Sequence, residues 1–564
     1  MKATILDRLV GYLNPAAGVE RLKARTQMAI AGAWAGGSTT RPQTYGWTPY
    51  GGSPDVDMLV DRRFLRNRSR DLQRNNPLAR GAINTVVTSS VGTGLALRSR
   101  VDADTLGLDP QEASEWQDSV EREFRLWAES PRGCDAEHTL DFYGIQSLAF
   151  RSALESGDVF AVLPMVPRAG SIYETKVQLI EADRVTNKGL VADTDELFGG
   201  IERDKYGAPV AYHILRKHPG GLFSPSSFIW DVVPAFGRQS GRRNVVHVLD
   251  KLRPGQPRGV PFLSPVIEAL KQLGDYTDGE LRAALVSSLF TVFVKSEAGF
   301  GLGPDVTGSQ ATTPQSTGDL MRMGSGAIVD LAPGEDISTA NPGRPNPAFD
   351  PFVASMLRQI GAALELPYEV LTKHFASSYS ASRAALLEAW RFYRGRREWL
   401  AQMFCEPIYE AWLDEAVARG RIDAPGYFDD PAMRAAYLRA DWVGDSMGQI
   451  DPLKEVQAIE RRLGLLLTTY ADETTGLTGK DWEDVIERRA QEEKFINANG
   501  LRAVLVDAGG TAAPPVDPAG VEQDTMPTSD TGDSVDAPED MPAEVPAQAP
   551  KLGRGKPNKK ARGK

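Results

Sequence analysis

The sequence predicts an α+β chain that is predominantly helical. Three observations carry this. Over most of its 564 residues, apolar side chains recur at three- and four-residue spacings, as in Trp116, Val120, Phe124 and Trp127. Between about 158 and 249 the period shortens to that of strands. Beyond Pro261 the helical period returns and persists to about 498. With 41% hydrophobic and 25% charged residues, the composition is that of a chain able to bury a core, and the length admits roughly two to four domains.

Residues 31–56, rich in Gly, Ser, Thr, Pro and aromatics, read as the end of an extended arm over 1–56. A helix is predicted over 57–75, with arginines at 62, 63, 66, 68, 70 and 74 and a thin apolar stripe. Asn76-Pro77 breaks it, and a second helix over 78–89 ends near Gly92 and Gly94. Helices follow over 110–128 and 142–156. Strands are predicted over 158–165, 176–180 and 244–249, with a hairpin over 200–215 turning at Asp204-Lys205-Tyr206-Gly207. Ser264-Pro265 reads as a helix start, Ser as cap and Pro at the first position, for a helix reaching about 288. A Gly/Thr/Ser-rich loop covers 299–318, and a short strand 327–331. A helix over 352–364 stops before Pro367, and the longest helix spans 381–405. Further helices are predicted over 407–419, 430–440, 450–468 and 480–498. Residues 511–550 hold nine Asp+Glu, eight Pro and no Lys or Arg, and the last 14 residues hold seven Lys+Arg. Segment 511–564 is therefore expected to be a disordered tail, acidic and then basic.

The net charge of −11 argues against a tight non-specific nucleic-acid binder, although the first 100 residues carry 15 Lys+Arg against 6 Asp+Glu. Two distant cysteines, Cys134 and Cys405, form no disulfide framework, and with five scattered histidines there is no zinc pattern; a reducing site of synthesis is expected. The most apolar run, 283–294, is too short and too interrupted by Ser287, Ser288 and Thr291 to span a membrane, and 1–10 does not read as a signal peptide.

Signatures of catalysis are weak. Gly476-Leu477-Thr478-Gly479-Lys480 has the wrong spacing for a phosphate-binding loop, and Asp481 stands where Ser or Thr would hold magnesium. Gly92-Thr93-Gly94 opens like a dinucleotide fingerprint, but Leu97 replaces the third glycine, so a helix stop is expected. Asp193, Asp195 and Glu196 read as a solvated loop rather than a cation site. His374 beside Ser377, Ser378, Tyr379 and Ser380 lacks a visible orienting group or oxyanion hole. No metal site and no cofactor are expected. The set Arg62, Arg63, Arg66, Arg68, Arg70, Arg74 and Arg80 has three readings: phosphate contact, pairing with a neighbouring subunit, or a solvated face. Arginines on several sides of one helix, beside an aromatic-rich arm, favour subunit contact over DNA.

Five segments in order carry a resemblance: RDLQRNNPLARGAINTVVTSSVGTGL at 70–95, ALESGDVFAVLP at 153–164, QLIEADRV at 178–185 with a hairpin ending in AYHIL at 211–215, RPGQPRGVPFLSPVIEAL at 253–270, and PYEVLTKHFASSYSASRAALLEAWRFY at 367–393. Together they resemble the lambda-type tailed-phage portal proteins over roughly residues 50 to 440. The resemblance implies a portal-type architecture: a helical plus α/β wing over 57–250, stem and clip over 251–366, a channel loop and long helix over 367–405, and a helical crown over 406–510. It implies a non-enzymatic structural protein of the virion, assembled in the host bacterial cytoplasm as a ring, usually of twelve copies, at one capsid vertex. Implied partners are double-stranded DNA in the channel, the terminase large subunit, major capsid or scaffold proteins and head-completion proteins, with no membrane. The loop before the long helix, with Lys373, His374, Ser377, Ser378, Tyr379, Ser380 and Arg383, matches the position of the family's channel loop. The alternatives are another oligomeric neck or tail component and a DNA-processing enzyme.

Overall fold

The fold comes from a computed structural model that describes residues 41–49, 51–59, 61–221, 228–288, 292–296, 335–339, 346–376, 378–446, 448, 452–479 and 482–499, with isolated helical positions between 12 and 23. The chain divides into two units, Met1–Gln491 and Glu492–Lys564. The elements below lie in the first, and the last helix continues into the second. The tail over 511–564 and residues 24–40 of the expected arm lie outside the described residues.

Helix formation starts earlier than the arm predicted. α1 (Pro54–Leu59) and α2 (Arg62–Asn75) replace the single helix expected over 57–75. α3 (Pro77–Ser90) starts as expected: Asn76 Oδ1 accepts from the amides of Leu78 and Ala79, each at 3.0 Å, and Pro77 needs no amide partner there. It stops at Gly92 (φ 59) and Gly94 (φ 119), where a Cβ on Gly94 would meet Tyr143 at 2.5 Å. The turn therefore requires glycine, and the helix-stop reading of this pair holds.

Strand β1 (Ala96–Ser99) follows, then α4 (Ala103–Leu106) and α5 (Pro110–Ala128), the latter opened by a reciprocal Asp109–Glu112 capping box. After α6 (Pro131–Cys134) comes α7 (Phe142–Ser156), capped by Asp141. β2 (Asp158–Val162) is the centre of a three-stranded antiparallel sheet. β3 (Gln178–Glu181) lies on one side and β8 (Val245–Leu249) on the other, so that Phe160 faces both Ile180 and His247. Between them in sequence, β4 (Leu197–Phe198), β5 (Ile201–Arg203), β6 (Pro209–Leu215) and β7 (Trp230–Pro234) form a four-stranded meander. The hairpin turn is where the sequence put it. Asp204 Oδ1 accepts from the amides of Tyr206 and Ala208 at 2.9 and 2.8 Å, and Gly207 takes φ 83. Phe160, Ile180, Val185, Ile201, Tyr212, Ile214, Ala235 and Val245 make a small core between the two sheets.

Ser264-Pro265 opens a single 3₁₀ turn that runs into α8 (Ile267–Ser288). The expected serine cap is not made; Ser264 Oγ is buried without a partner. β9 (Val292–Ser296) and β10 (Glu335–Thr339) pair antiparallel. The loop expected over 299–318 and the strand over 327–331 lie outside the described residues. α9 (Phe349–Ala363), α10 (Tyr368–Thr372) and α11 (Tyr379–Leu400) follow. The long helix expected to 405 stops at 400. It passes through a π turn, Ala401–Cys405, into α12 (Glu406–Ala418). Pro407 has no amide to donate, so the regular ladder cannot run through this point. α13 (Pro431–Tyr437), β11 (Ala440–Val443), α14 (Pro452–Gly464), α15 (Tyr470–Thr478) and α16 (Trp482–Ala498) complete the order.

The large core gathers distant segments. Phe124 has its ring centroid 5.0 Å from Trp412, 5.7 Å from Phe142 and 5.9 Å from Tyr409, each nearly edge-on. β1 and β11, neither expected from the sequence, pair across more than 340 positions, Ala96 with Val443 and Ser99 with Ala440. The stretch expected as one helical region over 406–510 contains two kinds of surroundings. Residues 406–443 contribute to the large core, which runs from Leu72 to Trp442, whereas no described residue of 452–499 is buried.

Candidate functional site

The arginine helix comes first. α2 is amphipathic in an unusual sense, because its inward face carries charge. Arg66 is buried, with Nε 3.3 Å from Asp183 Oδ1. Arg70 Nη1 lies 2.7 Å from Asp183 Oδ2, and its Nε and Nη2 donate to Ser156 Oγ at 3.1 and 2.9 Å. Burial opposes ionisation of Asp183, but Arg66 and Arg70 outweigh it and hold the carboxyl below its usual range. Arg62 lies near Phe198, its Nη1 buried without a hydrogen-bond partner; burial, with Arg258 nearby, pulls its guanidinium down to about 9. Arg63, Arg68, Arg74 and Arg80 are exposed. The seven arginines thus divide: Arg62, Arg66 and Arg70 serve the chain's own interior, and the other four face outward.

Behind α2 sits a buried ionic node that the sequence reading missed. Asp158, at the start of β2, accepts from Arg258 Nε at 2.5 Å and Nη2 at 3.1 Å. Arg258 also donates to the carbonyls of Ala182, Val185 and Gly199, and its guanidinium lies 5.0 Å from the Phe160 ring. His247, the partner of Phe160 on β8, stacks on the same ring at 4.2 Å and places Nε2 3.3 Å from Asp158 Oδ2. Burial works against the Asp158 charge, yet Arg258 and then His247 overcome it and keep the carboxyl well below the ordinary range. Burial lowers His247 despite the hydrogen bond to Asp158. Every donor of Arg258 is engaged, so the node clamps the 253–270 segment onto both sheets. The sequence signals were ESGD at 155–158 and QPRG at 256–259, which carry the charges but not their pairing.

The described candidates between 373 and 383 run from the end of α10 into the first turns of α11. α10 is anchored by the buried Val370 and Leu371. Lys373 ends it in the left-handed region (φ 55), where a cation suits the helix terminus. Lys373, His374, Ser378, Tyr379 and Ser380 are exposed, and Arg383 is partly exposed; Ser377 lies outside the described residues. α11 starts at Tyr379 rather than 381, with Ser378 ahead of it making no side-chain cap; Ser378 Oγ lies 3.3 Å from Ser380 Oγ. Phe375, not singled out from the sequence, is 48% exposed. With Lys373 it borders a cleft of about 490 Å³ lined by Thr85, Thr88, Trp390 and Tyr393.

The remaining sequence candidates resolve as structure. Asp193 Oδ1 accepts from the Gly199 amide at 2.7 Å and from Asn187 at 2.9 Å, a loop brace. Gly476 to Gly479 form a helix end, with Gly479 at φ 70, and Lys480 lies outside the described residues. Among the described residues, Glu181, Asp183 and His218 come within 4.8 Å of one another, but Arg66 and Arg70 already neutralise the two carboxylates. No described helix is long and apolar enough to cross a membrane.

Portal protein B of Escherichia phage lambda is 27% identical over 84% of this chain and 91% of its own length. The portal protein of Escherichia phage N15 is 26% identical over the same shares, and the probable portal protein of Halomonas phage phiHAP-1 is 23% identical over 81% and 85%. Among solved structures, a chain from the neck of a native gene transfer agent particle computed with C12 symmetry aligns over 74% of this chain and 94% of its own. Its TM-score is 0.40 and its identity 13%. The profile of the phage portal protein lambda family matches residues 40–397, which include the arginine helix, the ionic node and the loop before α11, and the chain belongs to that family.

Proposed function

We propose that this chain is the portal subunit of a tailed phage: a ring of twelve copies at one capsid vertex, through which double-stranded DNA is packaged and ejected. Family membership carries the reading. The ring is a structural part of the virion, assembled in the host cytoplasm. The terminase large subunit, capsid or scaffold proteins and head-completion proteins dock on it, and ATP hydrolysis is assigned to the terminase rather than to this chain.

The exposed residues Lys373 to Ala376 and Ser378 to Ser380, at the junction of two anchored helices, suit a loop that touches moving DNA. Phosphate contacts raise affinity steeply, and a conduit tolerates few of them. One lysine per copy makes a mild basic collar, in keeping with a chain of net charge −11. The outward Arg63, Arg68 and Arg74 are assigned to contact with a neighbouring copy, because they stay exposed while Arg66 and Arg70 hold Asp183.

Electron microscopy of the purified protein tests the ring. A closed ring with a hole roughly 20–40 Å wide, enough for a duplex whose major groove alone is about 12 Å wide, is expected. A compact monomer with nuclease or ATPase activity overturns the reading. Deleting residues 376–380 is expected to leave rings intact and to impair packaging or DNA retention. Loss of rings would instead make the loop structural.

A further inference from the structure

A buried ammonium is ordinarily paired with a carboxylate. Lys176 is not. Its side chain is fully buried, and Nζ donates to Gly133 O at 2.6 Å, Ser171 Oγ at 2.7 Å and Tyr173 O at 2.8 Å, three uncharged acceptors. The acid that draws on it most, Glu415, is already committed to the amides of Glu174 and Thr175 and to Arg419. The three acceptors have something else in common. Gly133, Ser171 and Tyr173 all line a pocket of about 150 Å³ between the end of α5, α6 and the 168–173 segment. Arg132, His138 and Arg168 also line it, and no acidic residue does. Arg132 and His138 are exposed and make no hydrogen bond or ion pair with a described residue. Arg168 uses only Nη2, on the Ala136 carbonyl at 2.8 Å. Loss of hydration, and then Arg168 and Arg132, lower the His138 imidazole below its usual range. Asp135, the carboxylate that opposes them, already accepts from the amides of Glu137, Thr139 and Leu140. Positive charge is therefore concentrated in a small concave volume with no internal counter-charge to spare.

We propose that this pocket binds a small oxyanion of the phosphate class, held by Arg132, His138 and Arg168 with the Lys176 ammonium behind its wall. Guanidinium groups donate in a fork that matches such an anion. The bound anion ties the 168–173 segment to α6 by neutralising charges that otherwise repel. The surroundings favour a free anion over the backbone of a duplex, because Leu126 and Ile172, 56 and 45% exposed, line the same pocket and offer a polynucleotide no polar contact. Every residue used belongs to one chain, so the inference stands apart from the portal reading.

Exchange of the imidazole C2 hydrogens, followed by mass spectrometry across pH on the full chain, tests this. In inorganic phosphate, against chloride at equal ionic strength, the His138 pKa is expected to rise by about one unit, because a neighbouring anion favours the imidazolium. His374, exposed and outside the pocket, is expected not to move. In Arg132→Gln/Arg168→Gln the His138 value is expected to start higher, with two cations gone, and to lose its response to phosphate. Arg132 is exposed and unbonded, so Arg132→Gln alone keeps the fold; it is expected to weaken phosphate binding about tenfold, read from the same titration. Absence of any His138 response to phosphate overturns the inference. So does an equal rise at His374, which marks non-specific ionic binding only. A response to a short DNA duplex but not to phosphate overturns it as well and makes the pocket a backbone contact.

Discussion

α12 and α14 are both helices of 13 residues with apolar side chains at helical spacing. α12 buries Ile408, Tyr409, Ala411, Trp412, Leu413, Glu415 and Ala416, and α14 buries none. The difference lies in what surrounds them. Around α12 the chain supplies Phe124, Phe142 and Trp442 from three separate elements, and even its Glu415 is used, accepting from the amides of Glu174 and Thr175 at 2.7 and 2.8 Å. No described residue of 452–499 finds comparable cover. An amphipathic stripe states that a helix has a partner; it does not state whether the partner belongs to the same chain.

The comparison is most sharply tested at Trp412, whose side chain is fully buried. Trp412→Ala is expected to destabilise the monomer by about 3–5 kcal/mol, read from urea unfolding. A loss below about 1 kcal/mol would show that the aromatic cluster is not the centre of the fold. Close behind comes Arg258→Met, which leaves the buried Asp158 without its guanidinium partner and with only His247 and the Gly259 amide beside it. A loss of about 3 kcal/mol is expected, and much of it should be recovered in the double variant with Asp158→Asn.

Acid should act through the same node. The folded-state pKa of Asp158 lies below its unfolded value of about 3.9, so its contribution is complete above that value and is lost as the pH falls. Asp183 and Glu415 are held low as well and act in the same direction. The midpoint of thermal unfolding should therefore drop steeply below about pH 4, and less steeply in Asp158→Asn. An equal drop in both would remove Asp158 from the account. The smallest effect is predicted at the other pole of the comparison: Leu466→Ser should change the stability of the monomer by no more than about 0.5 kcal/mol.

Most of the helices were legible because their apolar spacing and breaks such as Asn76-Pro77 act locally, as in 110–128 with Trp116, Val120, Phe124 and Trp127. β1 and β11 were not legible. Each is four residues long, and each becomes a strand only because the other lies beside it. The π turn at 401–405 was hidden for a related reason, since Pro407 follows an apolar run that continues the helical period unbroken. At the site, the loop from Lys373 to Ser380 was visible as a short polar gap between periodic segments, whereas the division of the arginines was not. Arg66 and Arg63 are the same residue type on one helix, and only the position of Asp183 distinguishes them.

Composition, period and capping residues were enough to establish a mainly helical chain with an inserted sheet region, and the order of five segments was enough to identify its family. The tertiary structure alone decided which charges are internal, as at Asp158, Arg258 and Asp183, and which apolar faces are left open, as at Leu453 and Leu465–Leu467. Local signals depend on neighbours within a few residues, and the chain carries them in its own order. Pairing and burial depend on residues up to several hundred positions apart, and their energy exists only once folding has brought them together.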